Sequence, residues 1–410
     1  MNNLILKNFK YVMYLLFAFP LFKVNIINLL VIVLIILSLI INPKKINSIY
    51  NLNFFSFTIP FWIVLFTSLF YFGEKNWYNN INNAIPFLIY PFAFFLIPIE
   101  NFNSDDIKKY LRITKLSCLI IFFTFIITFI YKYSIEDFFV IEYQISKFRD
   151  FVYNDSSVFK IHPTYYTLII LFLITNSFEI LIKKRNVFEI VFTALSILII
   201  FLLLSKVTIT LTILLLFYYL VNRIRLSHFK KISLSFFLFF LISFLLIKTP
   251  GVLERFKEIY LSFNNPPEGV QHDSTNIRIA LYKCDIEILK ENYLLGIGFH
   301  NVKQEILSCL ETNYEATFYN NHLFLTHNYF LYIIIGSGIF GFFIFMLYIY
   351  KLFLIALKIK KIEFYFFILL IFIASLTEDF LYRNLGNFFF HIFFFTYYLN
   401  YKLNVPNNVE

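Results

Sequence analysis

The sequence predicts an all-α integral membrane protein of about twelve transmembrane helices, with a large helical loop between the ninth and tenth on the outer side. Three observations predict it. The 410-residue chain is 60% hydrophobic and only 15% charged, with a mean hydropathy of +0.73, far from soluble averages. Its apolar residues gather into runs close to the roughly 20 residues that cross a bilayer. The formal net charge of +10 sits in short clusters between alternate runs, the pattern of loops facing anionic lipid rather than of a nucleic-acid surface. The 22% aromatic content is read first as lipid-facing filler, so single aromatics carry little weight.

In chain order the spans fall near 9–23, 26–41, 53–72, 81–98, 111–131 and 162–182, then 187–204, 207–222, 232–247, 328–350, 363–381 and 385–401. The first apolar stretch ends at "FAFPLFKVN" with no small-residue cleavage pattern, so it reads as a retained span. The run 187–222 is ~54 Å long as a helix against a ~30 Å hydrocarbon core, so it folds back. Its one polar point, "LLLSKVT", puts Ser205 and Lys206 at the tip.

The clusters "NPKK", "DDIKKYLRITK", "LIKKRN", "NRIRLSHFKK" and "KLFLIALKIKK" lie in alternate loops, which assigns those loops and both termini to the cytoplasm. The opposite side carries the two long loops, 132–161 and 248–327, of one polytopic domain spanning 1–410. The longer loop has helical patterning. "STNIRIALYKCDIEILKEN" offers Ser274 or Thr275 as an N-cap and spaces Ile277, Leu281, Cys284 and Ile288 along a helix; "HNVKQEILSCLE" does the same with Val302, Ile306 and Cys309. "LLGIGF" connects them tightly through Gly296 and Gly298. Cys284 and Cys309 are either bridged or free thiols.

Metal-ligand spacings, HExxH, P-loop and GxSxG motifs are absent from the sequence. "GSGIFG", residues 336–341, matches a dinucleotide fingerprint but lacks a preceding strand and lies inside an apolar span. Small residues at Gly336, Ser337 and Gly341 are better read as letting another helix approach closely.

Polar residues do gather at the outer ends of different spans. Lys206 is at a hairpin tip, Arg278 opens the first loop helix, and His327 and Asn328 begin the tenth span. Glu378, Asp379 and Arg383 lie where the eleventh ends, and His162 opens the sixth. Charges at the bilayer edge are costly unless paired or used, which makes these functional candidates. Each also has a structural alternative: a snorkelling Lys206, an exposed Arg278, a Glu378/Asp379 bridge to Arg383, and a helix start at His162–Pro163.

"STNIRIALYKCDIEILKENYLLGIGFHN", followed by "THNYFLYIIIGSGIFGFFIFMLYIY", resembles the O-antigen ligase and O-antigen polymerase superfamily of bacterial polytopic membrane glycosyltransferases; "IHPTYYTLIILF" and "SLTEDFLYRNLGNFFF" fit its sixth and eleventh spans. The resemblance runs from about 140 to 400. It implies an inner-membrane enzyme that works without metal or cofactor on the periplasmic face. Such an enzyme takes a glycan from undecaprenyl diphosphate and passes it to a lipid A core sugar, to another lipid-linked repeat, or to a protein hydroxyl.

Arg278 and His327 match the family's essential arginine and histidine. Lys206 stands where relatives usually carry arginine, keeping charge but losing bidentate phosphate geometry. On this reading His327 is the base. Asn328 or Glu378 orients its ring or the acceptor, and Arg278 and Lys206 bind the diphosphate, with His162 and Arg383 as secondary candidates. Ligase is preferred over polymerase or protein O-oligosaccharyltransferase. The rival of another class, a polysaccharide flippase or secondary transporter, would place polar residues near the midplane and show repeated halves, and the chain shows neither.

Overall fold

The computed structural model describes residues 2–44, 52–142, 145–155, 159, 161–223, 227–249, 251–262, 274–314 and 323–404. Lys45 of "NPKK", residues 224–226 of "NRIRLSHFKK" and residues 263–273 and 315–322 of the long loop lie outside the described residues.

Among the described residues each of the twelve apolar runs is helical over most of its length. The first two are α1 (Asn2–Phe17) and α2 (Val24–Ile41). The third is broken into α3 (Leu52–Phe57) and α4 (Ile59–Phe70). Pro60 has no N–H to continue the ladder, and the Thr58 hydroxyl turns back to Phe55 O at 3.0 Å. The fourth is likewise two pieces, α5 (Asn79–Ala84) and α6 (Pro86–Leu96), the second opened by a proline.

The fifth run belongs to a longer helix, α7 (Ser104–Lys132), and here the basic segment read as a loop is helical. Asn103 Oδ1 accepts from the Asp105 and Asp106 backbone N–H groups, and the two aspartates sit in the first turn, so the helix starts seven residues ahead of the apolar stretch.

After a short α8 (Lys147–Asp150) come α9 (Pro163–Lys183), α10 (Val187–Leu202), α11 (Lys206–Tyr218, extended by a π-turn to Arg223) and α12 (His228–Lys248). A two-residue antiparallel pair, Ile141–Glu142 with Ile145–Ser146, precedes α8. The helices of the long loop are α13 (Val252–Ser262), α14 (Ser274–Asn292) and α15 (Val302–Asn313). The last helices are α16 (Tyr329–Ile359), α17 (Ile362–Thr377) and α18 (Asn384–Asn404). Among the described residues, five helices are long and apolar enough to cross a membrane: α2, α7, α9, α11 with its π-turn, and α16; α4, α10 and α17 are shorter apolar helices.

The chain divides into two compact units. In the first, made of Met1–Phe17, Val24–Tyr110 and Leu261–Glu410, α16 packs on α4 and α17, and α18 packs on α6. In α18 every residue from Asn387 to Asn400 is buried, an all-round apolar helix that fits only an interior position.

The second unit, Ala18–Lys23 with Leu111–Tyr260, is built on α9 packed against α10 and α11. Lys115 of α7 is buried there. Its Nζ donates to Glu189 Oε2 of α10 at 2.6 Å and to Asn176 Oδ1 of α9 at 2.9 Å, while the Ser177 hydroxyl donates to the same Glu189 oxygen at 2.6 Å. An ion pair removed from water is tolerable only when its remaining polar atoms are satisfied this fully.

Candidate active site

The site is assembled on α14 and on the ends of α16 and α17. Arg278, Tyr282 and Asp285 are spaced i, i+4 and i+7 and so lie along one face of α14. Arg278 opens that face. Its Nη1 donates to Ser274 O at 2.8 Å, its Nη2 donates to Glu378 Oε1 at 2.5 Å, and its buried Nε has no partner. Glu378, just past the last residue of α17, also meets His327: Oε2 lies 3.3 Å from His327 Nδ1. One carboxylate thus bridges a guanidinium and an imidazole. Because the carboxylate offers only lone pairs, the imidazole proton belongs on Nδ1, which leaves Nε2 able to accept. Arg278 and His327 side chains are each 28% exposed, within reach of a substrate, whereas Glu378 is 9% exposed.

His327 is held in a conformation that a residue of its type seldom adopts, with φ 48°. Three contacts impose it. The His327 N–H donates to Asp379 Oδ2 at 3.1 Å, the Thr326 hydroxyl lies 3.0 Å from Asp379 Oδ1, and the Tyr282 hydroxyl donates to His327 O at 3.3 Å. Burial raises the Asp379 carboxyl above the usual carboxylate range, with the His327 charge opposing it. Asp285 is fully buried and neither of its oxygens has a hydrogen-bond partner. Burial first, then the Asp379 charge, push it up to about 9, so its carboxyl is a neutral acid at pH 7. Burial likewise pushes the Tyr282 hydroxyl up to about 12.

Asn328 caps α16: its Oδ1 accepts from Phe330 N at 3.0 Å and Leu331 N at 3.2 Å. Its side chain therefore fixes the helix start rather than orienting the His327 ring.

The "GSGIFG" stretch departs from the helix-packing expectation. Gly338 leaves the helical region, with φ 65° and ψ −172°, and opens α16. The turn 293–299 docks into the opening. Ile297 N donates to Ile335 O at 2.9 Å, Gly298 N to Gly336 O at 3.1 Å, and Ile339 N to Tyr293 O at 2.9 Å. A Cβ on Gly296, where φ is +74°, would sit 2.5 Å from Ile335 O, and one on Gly338 would collide with the Leu294 carbonyl. What the small residues admit is a loop backbone; only Gly341 faces a helix, Ile63 of α4. This strap, with the Cys284–Cys309 disulfide joining α14 to α15, locks Arg278 in register with His327. Closing a loop of this length by a disulfide contributes about 3 kcal/mol on the chain-entropy account.

Arg383 is exposed and pairs with neither Glu378 nor Asp379. His162 and Lys206 belong to the second unit. His162 is the N-cap of α9, its Nδ1 accepting from Thr164 N at 3.3 Å ahead of Pro163. Lys206 is the first residue of α11, directly after the tip Leu203–Ser205, where Leu204 has φ 50°. Arg149 of α8 also reaches that tip and donates to Leu203 O. Tyr282, Asp285, Thr326 and Arg149 were not legible as candidates, although the i, i+4, i+7 stripe behind Arg278 would have pointed to the first two. Among the described residues, no group of three His, Cys, Asp or Glu side chains could hold a metal ion.

A search of curated proteins returns no match to the chain. The family model of O-antigen ligase matches residues 191–346, a segment that contains Arg278, His327 and the α16 strap and ends ahead of Glu378. The region that carries the arginine and the histidine is therefore similar to the O-antigen ligase family.

Proposed function

We propose that the chain transfers a glycan from undecaprenyl diphosphate to an acceptor hydroxyl, a lipid A core sugar in the ligase reading, at the periplasmic face of the bacterial inner membrane. The observation that carries this reading is the Glu378 carboxylate joining Arg278 to His327. A polyprenyl carrier presents its diphosphate at headgroup depth, and His327 and Glu378 stand at the ends of the apolar helices α16 and α17, with Arg278 brought to them by the polar helix α14. His327 Nε2 takes the acceptor hydroxyl proton as that oxygen attacks the anomeric carbon. The bond from that carbon to the diphosphate breaks, and the leaving group carries away the electron pair. The Arg278 N–H donors not engaged by Glu378 and Ser274 answer the charge that develops on it. Glu378 keeps the imidazole tautomer and neutralises the imidazolium once formed.

The disulfide between α14 and α15 supports the outward placement of the loop, because such bridges persist in oxidising compartments. A strain lacking the chain, complemented with wild type or His327→Ala, tests the reading through its lipopolysaccharide. Wild type restores the polymer on the core, and His327→Ala leaves lipid-linked polymer unattached. Single repeats on the core instead indicate a polymerase, and full restoration by His327→Ala removes the histidine from the reaction.

A further inference from the structure

The turn that carries Glu378 and Asp379 continues into Tyr382 and Arg383, and its far end presents donors with no acceptor. Lys303 of α15 is half-buried, with Nζ 5.8 Å from the centre of the Tyr382 ring, and among the described residues no carboxylate lies within ion-pairing distance of it. Arg383, next in the chain after Tyr382, is exposed and has no ion pair among the described residues either. The Tyr382 hydroxyl accepts from Asn83 Nδ2 at 2.7 Å, so its own proton is free to be donated outward.

Asp379, whose charge acts on Lys303, is buried and engaged by Thr326 and the His327 N–H. Burial and then the Arg383 charge hold the Lys303 ammonium below its ordinary range, with Asp379 opposing. Keeping two like charges together without a counter-charge costs stability. The Tyr382 ring packs edge-on against Tyr332, centroids 5.2 Å apart, one turn into α16 from Asn328. Arg383 and the Tyr382 hydroxyl therefore follow Glu378 and Asp379 on one turn, and Lys303 of α15 stands over the Tyr382 ring.

We infer that Lys303, Arg383 and the Tyr382 hydroxyl form a second anion subsite, which holds a phosphate of the acceptor while the Arg278 side holds the diphosphate of the donor. The inference rests on the glycan-transfer reading for the identity of the two ligands. A phosphate on the acceptor arises in two ways: on a phosphorylated core sugar, or as the diphosphate of a second lipid-linked glycan.

The test is equilibrium binding of inorganic diphosphate to the full chain in nanodiscs of zwitterionic lipid. The wild type is expected to saturate with two diphosphates per chain, and the double variant Lys303→Gln/Arg383→Gln and the single variant Arg278→Gln with one each. The glutamines break no side-chain hydrogen bond or ion pair among the described residues, so a melting temperature close to that of the wild type checks that the double variant is folded. A wild type that binds one diphosphate or none overturns the inference. So does a second diphosphate that survives the double variant.

Loss of binding in Arg278→Gln alone leaves the transfer reading standing and removes only the second subsite; loss in the double variant alone does the reverse. In a transfer assay the double variant should raise the KM of the acceptor about tenfold or more, the loss expected for two charge-assisted contacts, while kcat stays within about twofold. An effect on a phosphorylated glycolipid acceptor assigns the phosphate to the core, and an effect on a diphosphate-linked acceptor assigns it to the carrier. An acceptor KM that moves for neither contradicts the subsite.

Discussion

At the scale of single residues, the site depends on where each carboxyl keeps its proton. Glu378 must be ionised to serve Arg278 and His327 together, whereas Asp285, buried without a hydrogen-bond partner, holds its proton up to about pH 9. The two roles separate by environment.

Asp285 makes a pH prediction whose sign can be worked out. Below its ordinary value of 3.8 both folded and unfolded chains keep the proton, and this contribution to stability is complete. Between there and about pH 9 the unfolded chain releases a proton that the folded chain retains, so stability falls as pH rises and levels off beyond. Asp285→Asn removes this slope. Its melting temperature should exceed that of the wild type above about pH 4, by a margin that widens toward pH 9. A margin independent of pH between 5 and 9 would show that Asp285 is not the protonated group.

The sequence made His327 and Glu378 legible because each is a polar residue at an apolar boundary, where it stands out, and Arg278 because it opens the loop helix at the position of the arginine in the motif the chain resembles. Tyr282 and Asp285 lie in a helix that is polar throughout, where one more polar side chain is no anomaly. Their role emerges only when α14 is laid against the Glu378 turn.

At the scale of elements, the strap at the break in α16 decides whether the loop helices keep their register. The pattern of Gly296, Gly298, Gly336, Gly338 and Gly341 is plain in the sequence, but its purpose is not. Hydropathy reads a continuous span, and three small residues in lipid ordinarily mean helix packing. Only the positive φ at Gly338 and the bonds from Ile297, Gly298 and Ile339 show that the helix opens to receive a turn.

Gly338→Ala should therefore do more than tighten a helix. It puts a Cβ against the Leu294 carbonyl at a left-handed position, which costs about 1–3 kcal/mol in strain, and it should loosen α14 from α16. Thermal unfolding in detergent and hydrogen exchange over 293–299 read the effect. A melting temperature equal to or above that of the wild type would mean that the strap is not structurally important. The other misread elements share a local cause. A proline at position 60 splits the third run, and the Asn103 cap carries α7 back through residues read as loop.

At the scale of the whole molecule, the order of apolar runs was legible because lipid demands length and hydrophobicity from every span. Five helices meet both demands outright, and several of the remaining runs are shortened by breaks that composition cannot locate. Polar residues were legible where they sit at span ends. They were not legible where they sit inside: the Lys115–Glu189–Asn176–Ser177 cluster unites residues from α7, α9 and α10 that are far apart in sequence, and nothing in any one segment announces the others. Removing Lys115 alone would strand Glu189 as an uncompensated buried charge, so the cluster binds three helices into one unit.

The central claim is that His327 removes the acceptor proton while Arg278 answers the charge on the departing diphosphate. The most direct measurement is single-turnover transfer by the purified full chain from an undecaprenyl-diphosphate-linked glycan to a lipid A core acceptor, comparing wild type with His327→Ala and Arg278→Lys. The account predicts that His327→Ala lowers the transfer rate by about 10²–10⁴ while donor binding is retained, and that Arg278→Lys weakens donor binding and lowers the rate because a point charge cannot reproduce the guanidinium fork. A His327→Ala protein that transfers the glycan at the wild-type rate would contradict it.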